Sequence, residues 1–117
     1  MMKIEEILKK YHFHDSHIFS IKTSWDGKVA LEVDLDDVWN TKTIKELIFL
    51  STYEISKYKI DRMNVVVDVE VNYLDDYEKD FVTTDTSRER ETVEVKFLFA
   101  AGGLLSLIAE NNFEIKA

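Results

Sequence analysis

Cysteine and proline are absent from this chain of 117 residues, and glycine occurs only three times. Without cysteine the protein forms no disulfide, no thiolate metal site and no cysteine nucleophile. A secreted scaffold held by disulfides is therefore excluded, and the sequence favours a reducing, cytoplasmic compartment. The opening residues 1–6 carry charges where a signal peptide has an apolar run. No apolar stretch approaches the roughly 20 residues that cross a bilayer.

The length of the chain fits one domain, and we expect residues 1–117 to share one core because no linker, repeat or low-complexity tract divides them. The hydrophobic content of 45% argues against disorder. The formal net charge of −8 argues against nucleic acid and membrane partners, since an acidic surface repels phosphates and anionic lipids. It favours a basic protein partner, although the same charge also suits a protein that simply stays soluble.

Hydrophobic spacing predicts one helix followed by strands. Apolar side chains recur at helical spacing over residues 3–11, and a period of two begins near residue 17. Alternating segments lie at about residues 19–23, 29–35, 65–73, 93–99, 105–109 and 113–115, with tight turns predicted at 100–103 and at 111–112. We expect an α+β fold in which the helix packs on a mostly antiparallel, curved sheet or partly open barrel of about six or seven strands.

The first hairpin is predicted to have a three-residue loop, Trp25-Asp26-Gly27, with Gly27 in the left-handed region. A two-residue loop would pair apolar with charged side chains on one face, and a slip of one residue reverses the faces. The three-residue loop places Phe19 opposite Val33 on the inward face. It also turns His17 inward, opposite Leu35.

Two stretches are less regular. Residues 44–60 fit a helix that begins with a capping box, Thr43 and Glu46, but they also alternate as a strand. Strand is favoured because the neighbouring segments are strands. Residues 75–91 form a long polar connection, for which mobility is the preferred interpretation.

All three histidines lie in one window, His12, His14 and His17, beside Asp15. Histidine and carboxylate ligands suit zinc or nickel, so a small metal-binding protein or metal-dependent enzyme is one hypothesis. No histidine follows His17 to complete a site, and a structural role for the window is favoured, with Asp15 or Ser16 bonding to the backbone where the helix meets the sheet. The sequence therefore predicts no catalytic residue, no metal and no cofactor.

Acidic residues are concentrated in two places, each next to an aromatic side chain that could anchor a partner. We predict a partner-binding surface from these residues: Asp34, Asp36, Asp37, Trp39, Asp75, Asp76, Tyr77, Glu78 and Asp80. The alternative is two solvated strand ends. A homodimer formed through an exposed sheet edge is a further possibility.

The run Tyr-His-Phe-His-Asp-Ser-His-Ile, residues 11–18, is followed by an alternating hairpin. It resembles the opening of several small uncharacterised bacterial families in which His-Asp-Ser or His-Asp-Ala precedes a β-rich body. Some of these families resemble immunity proteins of polymorphic toxin systems. The resemblance covers residues 11–35 and implies a non-enzymatic, toxin-binding role without a catalytic residue. The leading hypothesis is therefore an acidic protein-binding module, possibly an immunity protein that neutralises a basic toxin.

Overall fold

A computed structural model describes residues 2–60, 64–74 and 91–117. One short helix precedes eight strands in the described ranges, so the expected six or seven strands are too few. Their bounds are α1 Ile4–Lys10, β1 His17–Thr23, β2 Val29–Asp34, β3 Glu46–Phe49, β4 Thr52–Tyr58, β5 Val66–Tyr73, β6 Thr92–Phe99, β7 Leu104–Glu110 and β8 Phe113–Lys116. The helical alternative for residues 44–60 is wrong, because β3 and β4 occupy this stretch.

The strands form two four-stranded antiparallel sheets, with the orders β1-β2-β3-β8 and β4-β7-β6-β5. The expected α+β class and antiparallel pairing are confirmed. The expected single curved sheet or partly open barrel is wrong, because the described strands form two separate four-stranded sheets. The chain passes from one sheet to the other at residues 50–51 and 111–112. Hydrogen bonds from Leu50 N to Asn112 O (3.2 Å) and from Glu110 N to Ser51 O (2.9 Å) continue the pairing across this bend. The turn expected at residues 111–112 is present, closed by a bond from Asn112 N to Glu110 O at 2.7 Å. It leads from one sheet to the other, so β7 and β8 do not pair as a hairpin.

The core lies between the two sheets and under the helix. Phe49 and Phe113 meet edge to face with ring centroids 4.8 Å apart, and the helix contributes Ile4 and Ile7. Burial of such side chains is the main source of stability. The largest fully buried side chains include Phe49, Phe97, Phe113, Ile4, Ile7, Leu31, Leu47, Leu105 and Leu107. No helix in the described part of the chain has the length and apolar character needed to span a membrane.

The first hairpin has the predicted loop. Ser24 and Lys28 bond across it (N to O, 2.9 Å), and Gly27 has φ 92°. Thr23 pairs with Val29 and Ile21 with Leu31 as expected, but the register shifts between Ile18 and Ser20.

This shift is a β-bulge, in which one strand carries an extra residue and its faces exchange beyond it. Ile18, rather than Phe19, lies opposite Val33, and Phe19 is 62% exposed. His17 pairs with Asp34, not with Leu35, and is half-buried. The predicted inward positions of Phe19 and His17 are therefore wrong.

Candidate functional site

The side chain of Asn40 joins the histidine segment, residues 12–17, to the aspartate loop, residues 34–40. Asn40 Oδ1 accepts a hydrogen bond from His12 N at 2.8 Å, and Asn40 Nδ2 donates to His12 O at the same distance of 2.8 Å. The same nitrogen also donates to Asp36 O at 2.8 Å. The amide therefore pairs with the His12 backbone as another peptide group would, and it fixes both segments in one geometry.

Ser16 supplies a second link between the two segments. Its side chain is fully buried, its Oγ accepts from Asp36 N at 3.0 Å, and the hydroxyl donates to His12 O at 3.4 Å. The hydroxyl therefore satisfies backbone groups where the helix gives way to the sheet, which agrees with the structural role expected for this window.

Asp15 brings the histidine segment to the edge of the second sheet. It has φ 64°, in the left-handed region that aspartate tolerates better than most residues. Asp15 N donates to Val66 O and Val66 N donates to Ser16 O, both at 2.8 Å. These two bonds join the start of β5 to the residues before β1, so the segment lies where the two sheets meet.

His14 lies on the surface between three groups. Its Nδ1 is 3.0 Å from Val67 O, its Nε2 is 3.5 Å from Asp15 Oδ1, and its ring meets Trp39 edge-on at 6.2 Å. Because a carbonyl oxygen only accepts, Nδ1 must carry a proton, and Nε2 faces the carboxylate. The His14 ring therefore lies against the Trp39 indole, between the Val67 carbonyl and the Asp15 carboxylate.

The other two histidines do not join this group. His12 is exposed and is held through its backbone, whereas His17 belongs to the start of β1 and bridges to Val65. Among the described residues, no three His, Asp or Glu side chains gather in a way that could hold a metal ion. The structure therefore does not bring together the ligands that the metal hypothesis requires.

The aspartate loop presents apolar side chains among carboxylates. Val38 is 79% and Trp39 is 53% exposed, while Asp34 and Asp37 are also exposed. Asp36 differs, because its Oδ1 accepts from Val38 N at 2.7 Å and so stabilises the turn. We call the following exposed side chains the Trp39 surface: His14, Asp15, Asp34, Asp37, Val38 and Trp39.

The second part of the predicted partner-binding surface lies outside the described residues. It comprises Asp75, Asp76, Tyr77, Glu78 and Asp80. Sequence reasoning missed Asn40 and Val38. An aspartate two residues before Val38 is a signal for a local turn, and that signal could have indicated that Val38 and Trp39 are held outward. No local pattern indicates the contact of Asn40 with His12, 28 residues away.

Comparison with known proteins assigns no family. The chain matches no protein-family model, and a search of curated proteins returns no match. The functional argument therefore rests on the geometry and charge of the Trp39 surface.

Proposed function

We propose that this protein is a non-catalytic binding module that docks a basic protein partner on the Trp39 surface. One observation carries the proposal: an indole that is 53% exposed stands on a loop fixed by the side chain of Asn40. Tryptophan is the side chain most enriched among the residues that dominate binding energy. A rigid support reduces the entropy lost on association, so that more of the contact energy appears as affinity.

Charge supports the choice of partner. Asp15, Asp34 and Asp37 are exposed on the same two segments that carry His14 and Trp39, in a chain whose formal net charge is −8. A basic partner is attracted to this surface over a distance of about one Debye length, roughly 8 Å at physiological salt. On contact, an arginine of the partner can stack on the indole face and pair with a neighbouring carboxylate.

The finer form of the proposal is that the partner is a basic toxin domain and that this protein is its cytoplasmic immunity protein. Support comes from the resemblance of residues 11–18 to immunity-type families and from the acidic surface. Docking of Trp39 into the cleft of such a toxin would exclude its substrate, so no chemistry by this chain is needed.

The test uses the product of the gene adjacent to this one, where that gene encodes a large protein with a basic C-terminal domain. Co-expression of this chain should restore growth of cells that produce the basic domain. Calorimetry with the purified pair should give one-to-one binding. Trp39→Ala should weaken binding by about 30-fold or more, since a truncated central anchor costs at least about 2 kcal/mol.

Trp25→Ala is the matched control. Trp25 is fully exposed at the tip of the β1–β2 hairpin, away from the Asn40 contacts, and its removal should leave affinity unchanged. Equal effects of the two tryptophan variants would refute docking on the Trp39 surface. Failure of the neighbouring domain to bind or to be neutralised would refute the immunity role.

A further inference from the structure

A cavity of about 260 Å³ lies between β1 and the ends of β4, β6 and β7. The bulge in β1 shapes one side of it, because Ile18 turns inward and Phe19 turns out to the rim. Leu105 and Phe99 of the core are nearly inaccessible to solvent. The apolar lining residues are Ile18, Phe19, Ile21, Ile60, Phe99 and Leu105.

Among the residues that the structure describes, the polar lining of this cavity carries only positive charge. Lys57 is its single charged residue among the described ones, beside Ser20 and Asn64. No ion pair among the described residues involves Lys57, whose side chain is exposed at the rim. In a chain with 23 acidic residues, the described lining of this cavity combines apolar side chains with one lysine and contains no carboxylate.

The volume limits the ligand to a compact one. Apolar cavities of roughly 150 Å³ accept benzene, and drug-sized ligands occupy roughly 300–1,000 Å³. A volume of about 260 Å³ therefore suits a single ring or a short alkyl chain. We infer that this cavity binds a small monoanionic amphiphile, whose carboxylate meets Lys57 Nζ at the rim while its apolar body packs against the accessible side chains of Phe19 and Ile21. The lining of this site shares no described residue with the Trp39 surface, and binding here does not require a partner docked there.

The probes are 4-phenylbutyrate and its neutral analogue 4-phenylbutanol, titrated into the ¹⁵N-labelled protein and followed by amide chemical shifts. The acid should give saturable shifts at β1 and at the start of β7. Lys57→Ala should weaken binding of the acid by about tenfold, because it removes a charge-assisted hydrogen bond that solvent partly screens at the rim. Binding of the alcohol should not change.

Lys22→Ala is the matched control, since Lys22 pairs with Glu32 and does not line the cavity. Ile21→Trp should fill the cavity and abolish binding of both probes, and an unchanged fold is checked by its thermal unfolding. Trp39→Ala should leave probe binding intact, which separates this site from the proposed docking surface. Non-saturable shifts, equal affinity for acid and alcohol, or binding that survives Ile21→Trp would overturn the inference.

Discussion

The buried side chain of Asn111 joins the first turn of α1 to the bend between β7 and β8. Lys3, at the N-terminus of α1, offers no side-chain cap, and Asn111 Oδ1 accepts from Ile4 N at 2.7 Å instead. Its Nδ2 donates to the Glu5 carboxylate at 3.3 Å and to Glu91 Oε2 at 3.0 Å. One amide therefore caps the helix and satisfies two carboxylates.

Asn111→Ala should lower the free energy of unfolding by about 3 kcal/mol, combining a lost cap of about 1 kcal/mol with the lost hydrogen bonds to charged groups. Urea denaturation measures the change. Asn112→Ala is the control, because the Asn112 side chain makes no hydrogen bond within the described residues and should cost less than about 1 kcal/mol. Similar losses in the two variants would contradict this role of Asn111.

The contact between Glu5 and Tyr73 makes stability depend on pH at both extremes. Partial burial opposes ionisation of Glu5, but hydrogen bonds from Tyr73 and Asn111 and the nearby charge of Lys3 outweigh it and lower the pKa of Glu5 below 4.5. Hydrogen bonding to Glu5, together with burial, raises the pKa of Tyr73 from 10.0 to about 12. The stability that ionised Glu5 contributes to the fold is complete above pH 4.5. It is lost as the pH falls through the lowered pKa of Glu5.

The contribution of Tyr73 has the opposite sign. It is complete below pH 10.0 and is lost as the pH rises toward about 12. Urea midpoints measured across the acid and alkaline ranges should fall at both ends, and Tyr73→Phe should reduce the fall at each. Tyr58→Phe, at an exposed tyrosine outside this contact, should leave the profile unchanged. A profile that Tyr73→Phe does not alter would show that this pair does not govern the pH response.

At the scale of elements, the alternation of apolar residues in β1 and β2 predicted the loop between the two strands. It did not predict the bulge in β1. The loop follows from the sequence because Thr23, Ile21, Val29 and Leu31 alternate regularly near the turn. Beyond Ser20, two apolar residues are adjacent, Ile18 and Phe19, and either could face the core. The bonds from Ile18 N to Asn64 O and from Asp15 N to Val66 O fix the backbone so that Ile18, not Phe19, faces the core. These contacts are distant in sequence, and local periodicity carries no information about them.

Two glycines on different elements should respond differently to the same substitution. At Gly27, with φ 92°, an added Cβ would have ordinary contacts with the Thr52 backbone, the nearest at 3.7 Å. Gly27→Ala should therefore cost only the conformational penalty, about 1 kcal/mol. At Gly103 an added Cβ would lie 2.4 Å from Lys59 O, so the start of β7 would have to move away from the end of β4.

Gly103→Ala should consequently cost about 2–3 kcal/mol, at the upper end of the range for overpacked sites. Thermal or urea unfolding of the two variants, measured side by side, checks the order. A Gly103→Ala variant as stable as Gly27→Ala would mean that the backbone at Lys59 yields without cost.

At the scale of the whole molecule, the sequence indicates part of the candidate site but not how that site is built. Trp39 with its neighbouring aspartates is visible in the sequence as an aromatic residue in an acidic run. Its support is not visible, because Asn40 and Ser16 act across 28 and 20 residues on segments that meet only in the folded sheets. The same holds for the division into two sheets, since the strands that cross between them read in the sequence as ordinary hairpin partners.

Two features should act on different rate constants of binding to the basic partner. The charge of the whole molecule should govern the association rate, and the Trp39 indole should govern the dissociation rate. Steering by charge acts before contact, so the association rate should fall markedly between low and physiological salt. Reversal of Asp34 and Asp37 to lysine should lower this rate, and it spares the turn because Asp36, which caps Val38 N, is left in place. Trp39→Ala should mainly raise the dissociation rate, because its contact forms after encounter.

The control for the charge reversal carries the same change in net charge on other strands, with Glu70 of β5 and Glu114 of β8 replaced by lysine, both exposed. Stopped-flow or surface-based kinetics separate the two rates. If steering is local to the Trp39 surface, the Asp34/Asp37 pair lowers the association rate more than the control pair does. Equal effects of the two pairs on the association rate would mean that net charge alone guides encounter. An association rate independent of salt would mean that the Trp39 surface is a solvated face without a role in binding.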